Sequence, residues 1–137
     1  MMKRWLTPLF VAAMLTACLP PSLFQSEMPV SASLSDSGGV AALIPEQPLV
    51  VRLPANPSTG YHWSYTVKGD EVLRLDSVSG VGTPPNGMVG VPGDEVWSFR
   101  AQGVGRVVLT YVYTRPWEKH MAPAQTFTLT VVVKPAQ

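Results

Sequence analysis

The chain has 137 residues, room for one domain, and ten Lys and Arg against nine Asp and Glu leave a formal charge of +1. With no basic excess to neutralise phosphates, a dedicated nucleic-acid binder is excluded. A single cysteine excludes an internal disulfide framework, and one Cys with two His supplies too few donors for a metal cluster, so neither metal nor cofactor is expected.

Residues 1–17 read as an address. Lys3 and Arg4 form a positive start, and Trp5 to Leu15 is an 11-residue stretch without charge, the length of a signal-peptide core and too short to span a bilayer as a helix. The stretch ends in Leu15-Thr16-Ala17-Cys18, which resembles the lipobox of bacterial lipoproteins. That resemblance implies cleavage before Cys18 and lipidation of its thiol. Ordinary cleavage after Ala17 would put bulky Leu15 where a small residue is preferred. Loss of residues 1–17 takes the formal charge to −1. Leu19, not Asp, follows the cysteine, which by the same resemblance favours the outer membrane, facing the periplasm. Residues 18–29, with Pro20-Pro21 and several small polar residues, read as the lipidated cysteine and a flexible tether.

From residue 30 to 137 the dominant pattern is period-two alternation. Val30–Leu34, Val40–Ile44 and Leu49–Leu53 are short candidate strands. Tyr61, Trp63, Tyr65 and Val67 share one face of an extended segment, with His62, Ser64, Thr66 and Lys68 opposite. A weaker strand falls at Val72–Val78. Trp97, Phe99 and Ala101 alternate with Ser98 and Arg100. Val107, Leu109, Tyr111 and Tyr113 repeat the pattern, and so do Phe127, Leu129, Val131 and Val133 against Thr126, Thr128 and Thr130. No window carries a helical stripe. The expected fold is all-β, an immunoglobulin-like antiparallel β-sandwich of seven or eight strands without the antibody disulfide. Trp63 and Trp97 belong to its core.

In such a sandwich the loops at 54–60, 79–93 and 114–125 gather at one end. The first contains Asn56-Pro57-Ser58-Thr59-Gly60-Tyr61. Asn56 can bond its own backbone ahead, Pro57 fixes φ and Gly60 permits a positive φ, so a stiff turn presenting Ser58 and Thr59 is expected. The second holds five glycines and three prolines; no Lys and no helix follow them, which excludes a phosphate cradle. The third contains Arg115-Pro116-Trp117, and a Trp beside Pro and Arg in a polar loop is placed for recognition, where Trp and Arg are most enriched.

The three segments together resemble the signature loops of the chagasin family, proteinaceous inhibitors of papain-like cysteine peptidases. NPSTGY at 56–61 and Arg115-Pro116-Trp117 match fully, and Gly90-Val91-Pro92-Gly93 matches except at Pro92, where the family has Gly. The resemblance spans roughly residues 28–134. It implies a monomeric, non-enzymatic protein whose three loops enter the peptidase cleft: Asn56, Pro57, Ser58, Thr59, Gly60 and Tyr61 over the catalytic pair, Gly90, Val91 and Gly93 along the non-primed side, Arg115, Pro116 and Trp117 on the primed side. Pro92 removes a backbone N–H, which makes the second loop the weakest part of the match. The other class compatible with the sequence is an envelope lipoprotein whose immunoglobulin-like domain is a structural or adhesion module.

Overall fold

The computed structural model describes residues 28–80 and 93–136. Cys18, the signal segment, most of the tether, Gly90 and Val91 lie outside the described residues. Eight strands run in chain order: β1 (Val30–Ser33), β2 (Gly39–Leu43), β3 (Pro48–Ala55), β4 (His62–Gly69), β5 (Leu73–Ser79), β6 (Gly93–Ala101), β7 (Gly105–Thr114) and β8 (Gln125–Val133). They form two four-stranded sheets, ordered β1-β3-β6-β5 and β2-β8-β7-β4. The inner strand pairs are antiparallel, as the alternation implied. The sheets are not antiparallel throughout: β1 joins β3 in parallel, and β2 joins β8 in parallel. The reason is a crossover. The chain leaves β1 through a short 3-10 turn, Leu34–Asp36, and enters the other sheet as β2. Gly38 N–H then donates to the Thr128 carbonyl and Ser37 Oγ accepts from Thr128 N–H, seating the crossover on β8.

The alternation read from the sequence sorts the side chains as expected. Leu49, Val51 and Leu53 from β3 and Trp97, Phe99 and Ala101 from β6 are buried against Val107, Leu109, Tyr111, Phe127, Leu129, Val131 and Val133 of the facing sheet. Trp63 and Trp97 are core residues, 7% and 3% exposed. Aromatic rings link the two sheets. Tyr65 and Tyr111 are opposite each other across β4 and β7 and stack at 5.2 Å, while Trp97 and Phe127 meet Tyr111 edge-on at 4.9 and 5.8 Å. The alternation weakens along β4: Val67 is 51% exposed, because β4 is an edge strand and cover runs out towards its end. The edge strand β5 is mostly exposed and carries a register shift between Leu75 and Ser77. Beside that shift Asp76 pairs with Arg74 and Arg100, both at 3.1 Å. Desolvation raises the Asp76 pKa, but the hydrogen bonds and charges of the two guanidinium groups outweigh it and hold the carboxyl below its ordinary range. A bulge and charge on an edge strand discourage pairing with another chain.

Strand direction gives the sandwich two poles. At one, which we call the loop pole, lie the β3–β4 turn, the end of β5, the start of β6 and the β7–β8 connection. At the other lie residues 44–47, 70–72 and 102–104. That second pole is tied by Glu46 N–H to the Ala101 carbonyl, Asp70 N–H to the Arg106 carbonyl and Gln102 N–H to the Val72 carbonyl.

One core atom is out of balance. The Tyr111 ring is fully buried, and its hydroxyl finds no hydrogen-bond partner among the described residues. Burial, with a smaller contribution from Tyr65, pushes its pKa well above the ordinary phenol range. Folding therefore holds Tyr111 neutral at pH values where the unfolded chain would ionise it. That stability is complete below about pH 10 and declines as the pH rises beyond it. Tyr111→Phe is expected to leave the protein as stable at pH 7, or up to about 1 kcal/mol more so, since it removes an unpaired buried hydroxyl. It should also flatten the fall in stability above about pH 10. Denaturant melts from pH 7 to 11 check both, with Trp97→Ala as the contrast, expected to cost about 3–5 kcal/mol.

Candidate functional site

The β3–β4 turn is built almost entirely from its own hydrogen bonds. Pro57–Thr59 forms one 3-10 turn, with Pro57 supplying a preset φ at its start. The Asn56 carboxamide oxygen accepts from Ser58 N–H at 3.2 Å and from Ser58 Oγ at 2.6 Å. Thr59 Oγ1 donates to the Asn56 carbonyl at 2.7 Å, alongside Thr59 N–H at 3.2 Å. Gly60 N–H donates to the Pro57 carbonyl at 3.1 Å, and Gly60 closes the turn with φ of +79°. The stiff turn expected from the sequence is present, with one refinement. Pro57, Ser58 and Thr59 are exposed, yet both hydroxyls are bound within the turn.

The turn is fastened to the core through Tyr113. Asn56 N–H donates to the Tyr113 hydroxyl at 2.9 Å. The Tyr113 ring stacks on Trp63 at 4.8 Å and on Tyr61 at 5.2 Å. Trp63 in turn donates its indole N–H to the Pro54 carbonyl at 2.9 Å, fixing the strand that leads into the turn. Tyr61 immediately precedes β4 and is half-buried.

Arg115 joins the two loops. Its Nε donates to the Thr59 carbonyl at 3.0 Å, its Nη1 pairs with Glu118 Oε1 at 3.2 Å, and its guanidinium lies over the Tyr61 ring, 4.3 Å from the centroid. Glu118 is held in reach by its own turn, in which Glu118 N–H donates to the Arg115 carbonyl at 3.1 Å. Arg115 is thus engaged inside the domain, as a brace between the 56–61 turn and the 115–118 turn. The contacts of Glu118 and Tyr113 were not legible in the sequence. Glu118 lies beyond the RPW segment, and Tyr113 reads as one more inward residue of β7.

Trp117 lies 66% exposed beside this brace, the exposure expected of a recognition residue and not of a core one. The edge of its indole rests on Gly60. A Cβ built at Gly60 would collide with Cη2 of Trp117 and come within 3.2 Å of Cζ2. The positive φ favours glycine there, and any side chain would also push the Trp117 ring aside. Pro116 is exposed between Arg115 and Trp117. Gly93 starts β6 opposite Ala55, at the same pole. The structure therefore brings Asn56 to Tyr61, Gly93 and Arg115 to Trp117 to one end of the molecule.

Glu95 adds a titratable group near this pole. It follows the alternation of Trp97 and Phe99 and is half-buried, and desolvation raises its pKa, with the His62 charge opposing the rise. His62 is exposed at the start of β4, opposite Thr114. The Ser58 hydroxyl donates to Asn56 Oδ1 and has no base beside it among the described residues.

The fold is a β-sandwich with rigid turns gathered at one pole. The comparisons with known proteins specify its family. Residues 44–131 match the model of the Chagasin family peptidase inhibitor I42, and the chain belongs to that family of peptidase inhibitors. It is 32% identical over 84 residues to Amoebiasin-2 of Entamoeba histolytica, covering 61% of this chain and 68% of the relative. Among solved structures it is similar to the cysteine protease inhibitor EhICP2 from Entamoeba histolytica, with a TM-score of 0.68 and 25% identity over 77% of this chain and 96% of that one. PbICP-C, solved in complex with falcipain-2, shares the fold at a TM-score of 0.53 and 15% identity, over 80% of this chain and 92% of that one.

Two measurements test the site's construction. Gly60→Ala is expected to displace Trp117 and strain the turn, shifting the indole emission without unfolding the sandwich; an unchanged spectrum would show that ring and turn are independent. Glu95→Gln is expected to raise Tm at pH 7. A raised carboxyl pKa means that the folded state is favoured when Glu95 is protonated and loses stability as pH rises through the folded pKa. The advantage of the glutamine should therefore shrink towards pH 4, which thermal melts at both pH values would show.

Proposed function

We propose that the protein is a reversible, non-covalent inhibitor of papain-like cysteine peptidases that blocks the active-site cleft with its loop pole. The observation that carries this reading is the internally bonded turn at 56–61, braced by Arg115 and flanked by exposed Trp117. A substrate lies extended in the cleft and delivers a carbonyl to the oxyanion donors. In this turn the carbonyls of Asn56, Pro57 and Thr59 already accept Thr59, Gly60 and Arg115. A peptidase meeting it encounters a closed 3-10 turn in place of an extended strand, so it is occluded and not supplied with a substrate. The brace also means that little conformational entropy is lost on binding, which is how a small patch can bind tightly. The solved similarity to the cysteine protease inhibitor EhICP2 and the complex of PbICP-C with falcipain-2 support the same target class.

In this reading Thr59 sits at the tip over the catalytic pair, Gly90, Val91 and Gly93 follow the non-primed side, and Trp117 anchors the primed side with Pro116. Arg115 contributes chiefly by holding Thr59 and Tyr61 in place. In the same reading the protein acts as a monomer, the lipobox-like segment ending at Cys18 supplies a lipid anchor, and Leu19 after it favours the outer membrane, facing the periplasm.

Titration against papain tests the proposal: inhibition without cleavage of the protein is expected, and its absence would turn the reading towards an adhesion module. Trp117→Ala should weaken inhibition by a factor of about 30 to 1,000, through faster dissociation, with little change in Tm. Thr59→Asp should weaken it by orders of magnitude while the domain stays folded, because a buried, unpaired charge costs several kcal/mol.

A further inference from the structure

The point where the tether enters the sandwich and the turn that carries Thr59 lie at opposite poles. β1 begins at Val30, which pairs with Leu49 at the start of β3. Met28 stands beyond it, 70% exposed, with its carbonyl accepting from Gln47 Nε2 at 3.0 Å. Gln47 belongs to the turn at 44–47 and also accepts from Ile44 N–H at 3.1 Å, so the place where the tether meets the domain is fixed. Met28, Ile44, Gln47 and Lys134 line one shallow depression at this pole. From there β3 runs eight residues, about 25 Å, to the turn that carries Thr59. The parallel pairing of β1 with β3 decides this. An antiparallel β1 in the same place would start beside the inhibitory turn and put the tether there.

We propose that the anchored protein presents its loop pole, the end of the domain remote from the tether, to the aqueous phase and captures, while still anchored, a cysteine peptidase that arrives from there. The inference rests on the inhibitor and lipid-anchor readings above and specifies the partner: a peptidase free in solution, not one held flat against the same membrane. Residues 19–27 separate Cys18 from Met28 and can extend to about 36 Å at most, so the tether adds reach to the separation that the fold already sets between anchor side and loop pole. Inhibition of a soluble peptidase should therefore not need the tether's slack.

The test uses the full chain, produced in a bacterial host that processes lipoproteins and reconstituted into phospholipid vesicles, beside a variant lacking residues 19–27. Papain is the soluble peptidase. Vesicle-bound protein, with or without residues 19–27, is expected to inhibit papain within about threefold of its strength in detergent, a difference under about 0.7 kcal/mol. Trp117 emission should be quenched by iodide in the water and not by a nitroxide on the lipid headgroups. Quenching of Trp117 by the headgroup nitroxide, or loss of inhibition on vesicles with full inhibition in detergent, would overturn the orientation. No inhibition in detergent would overturn the inhibitor reading. Membrane association that persists in Cys18→Ala would overturn the anchor. These three failures are distinguishable because iodide and nitroxide report geometry whether or not papain binds.

Discussion

Tyr113 is the residue on which the loop pole depends. Its ring is core, 8% exposed and stacked on Trp63, which faces it across the β4–β7 register. Its hydroxyl is loop, accepting the N–H of Asn56. Its other stacking partner, Tyr61, carries Arg115, and Arg115 holds the Thr59 carbonyl. A line of contacts thus runs from the buried loop-pole end of one sheet to the tip of the exposed turn. The rigidity of that tip is borrowed from the core, and a short turn alone could not supply it, since fixing each residue's backbone costs about 1–2 kcal/mol.

The brace explains how a domain with few charges can present a defined surface. Arg115 makes a hydrogen bond, an ion pair and a cation–π contact at once, with its side chain 34% exposed. A planar guanidinium can do this because its donors are fixed in a fork while its face remains available for an aromatic ring. A lysine at the same place would offer a point charge and lose the geometry. With Arg115 committed inward, the exposed residues of the 56–61 turn and Trp117, whose indole edge rests on Gly60, form part of the outward surface of the pole.

The outer faces of the sheets are quieter. One carries the ion pairs of Arg52 with Asp94 and of Arg74 and Arg100 with Asp76, which are exposed and worth little to stability. The parallel strands β1 and β2, by contrast, have a large consequence. By switching sheets through the 34–38 crossover, the chain closes one edge of the sandwich and puts its first described residues at the pole remote from Thr59.

By itself the sequence determined the alternating faces and therefore the sandwich, since period-two burial is written residue by residue in Trp97, Phe99 and Ala101 or in Phe127, Leu129 and Val131. It also determined the turn at 56–61, because Asn, Pro and Gly act on their own backbone within a few residues. Trp117 was legible as exposed from its polar neighbours. Tertiary structure alone decided the rest. Strand direction at the edges depends on which partner β1 and β2 find, and alternation is the same in either direction. The inward engagement of Arg115 depends on Thr59, 56 residues away, and the double role of Tyr113 on Asn56, 57 residues away. Local chemistry fixes what a segment can form; contacts at such separations exist only once the sheets have closed.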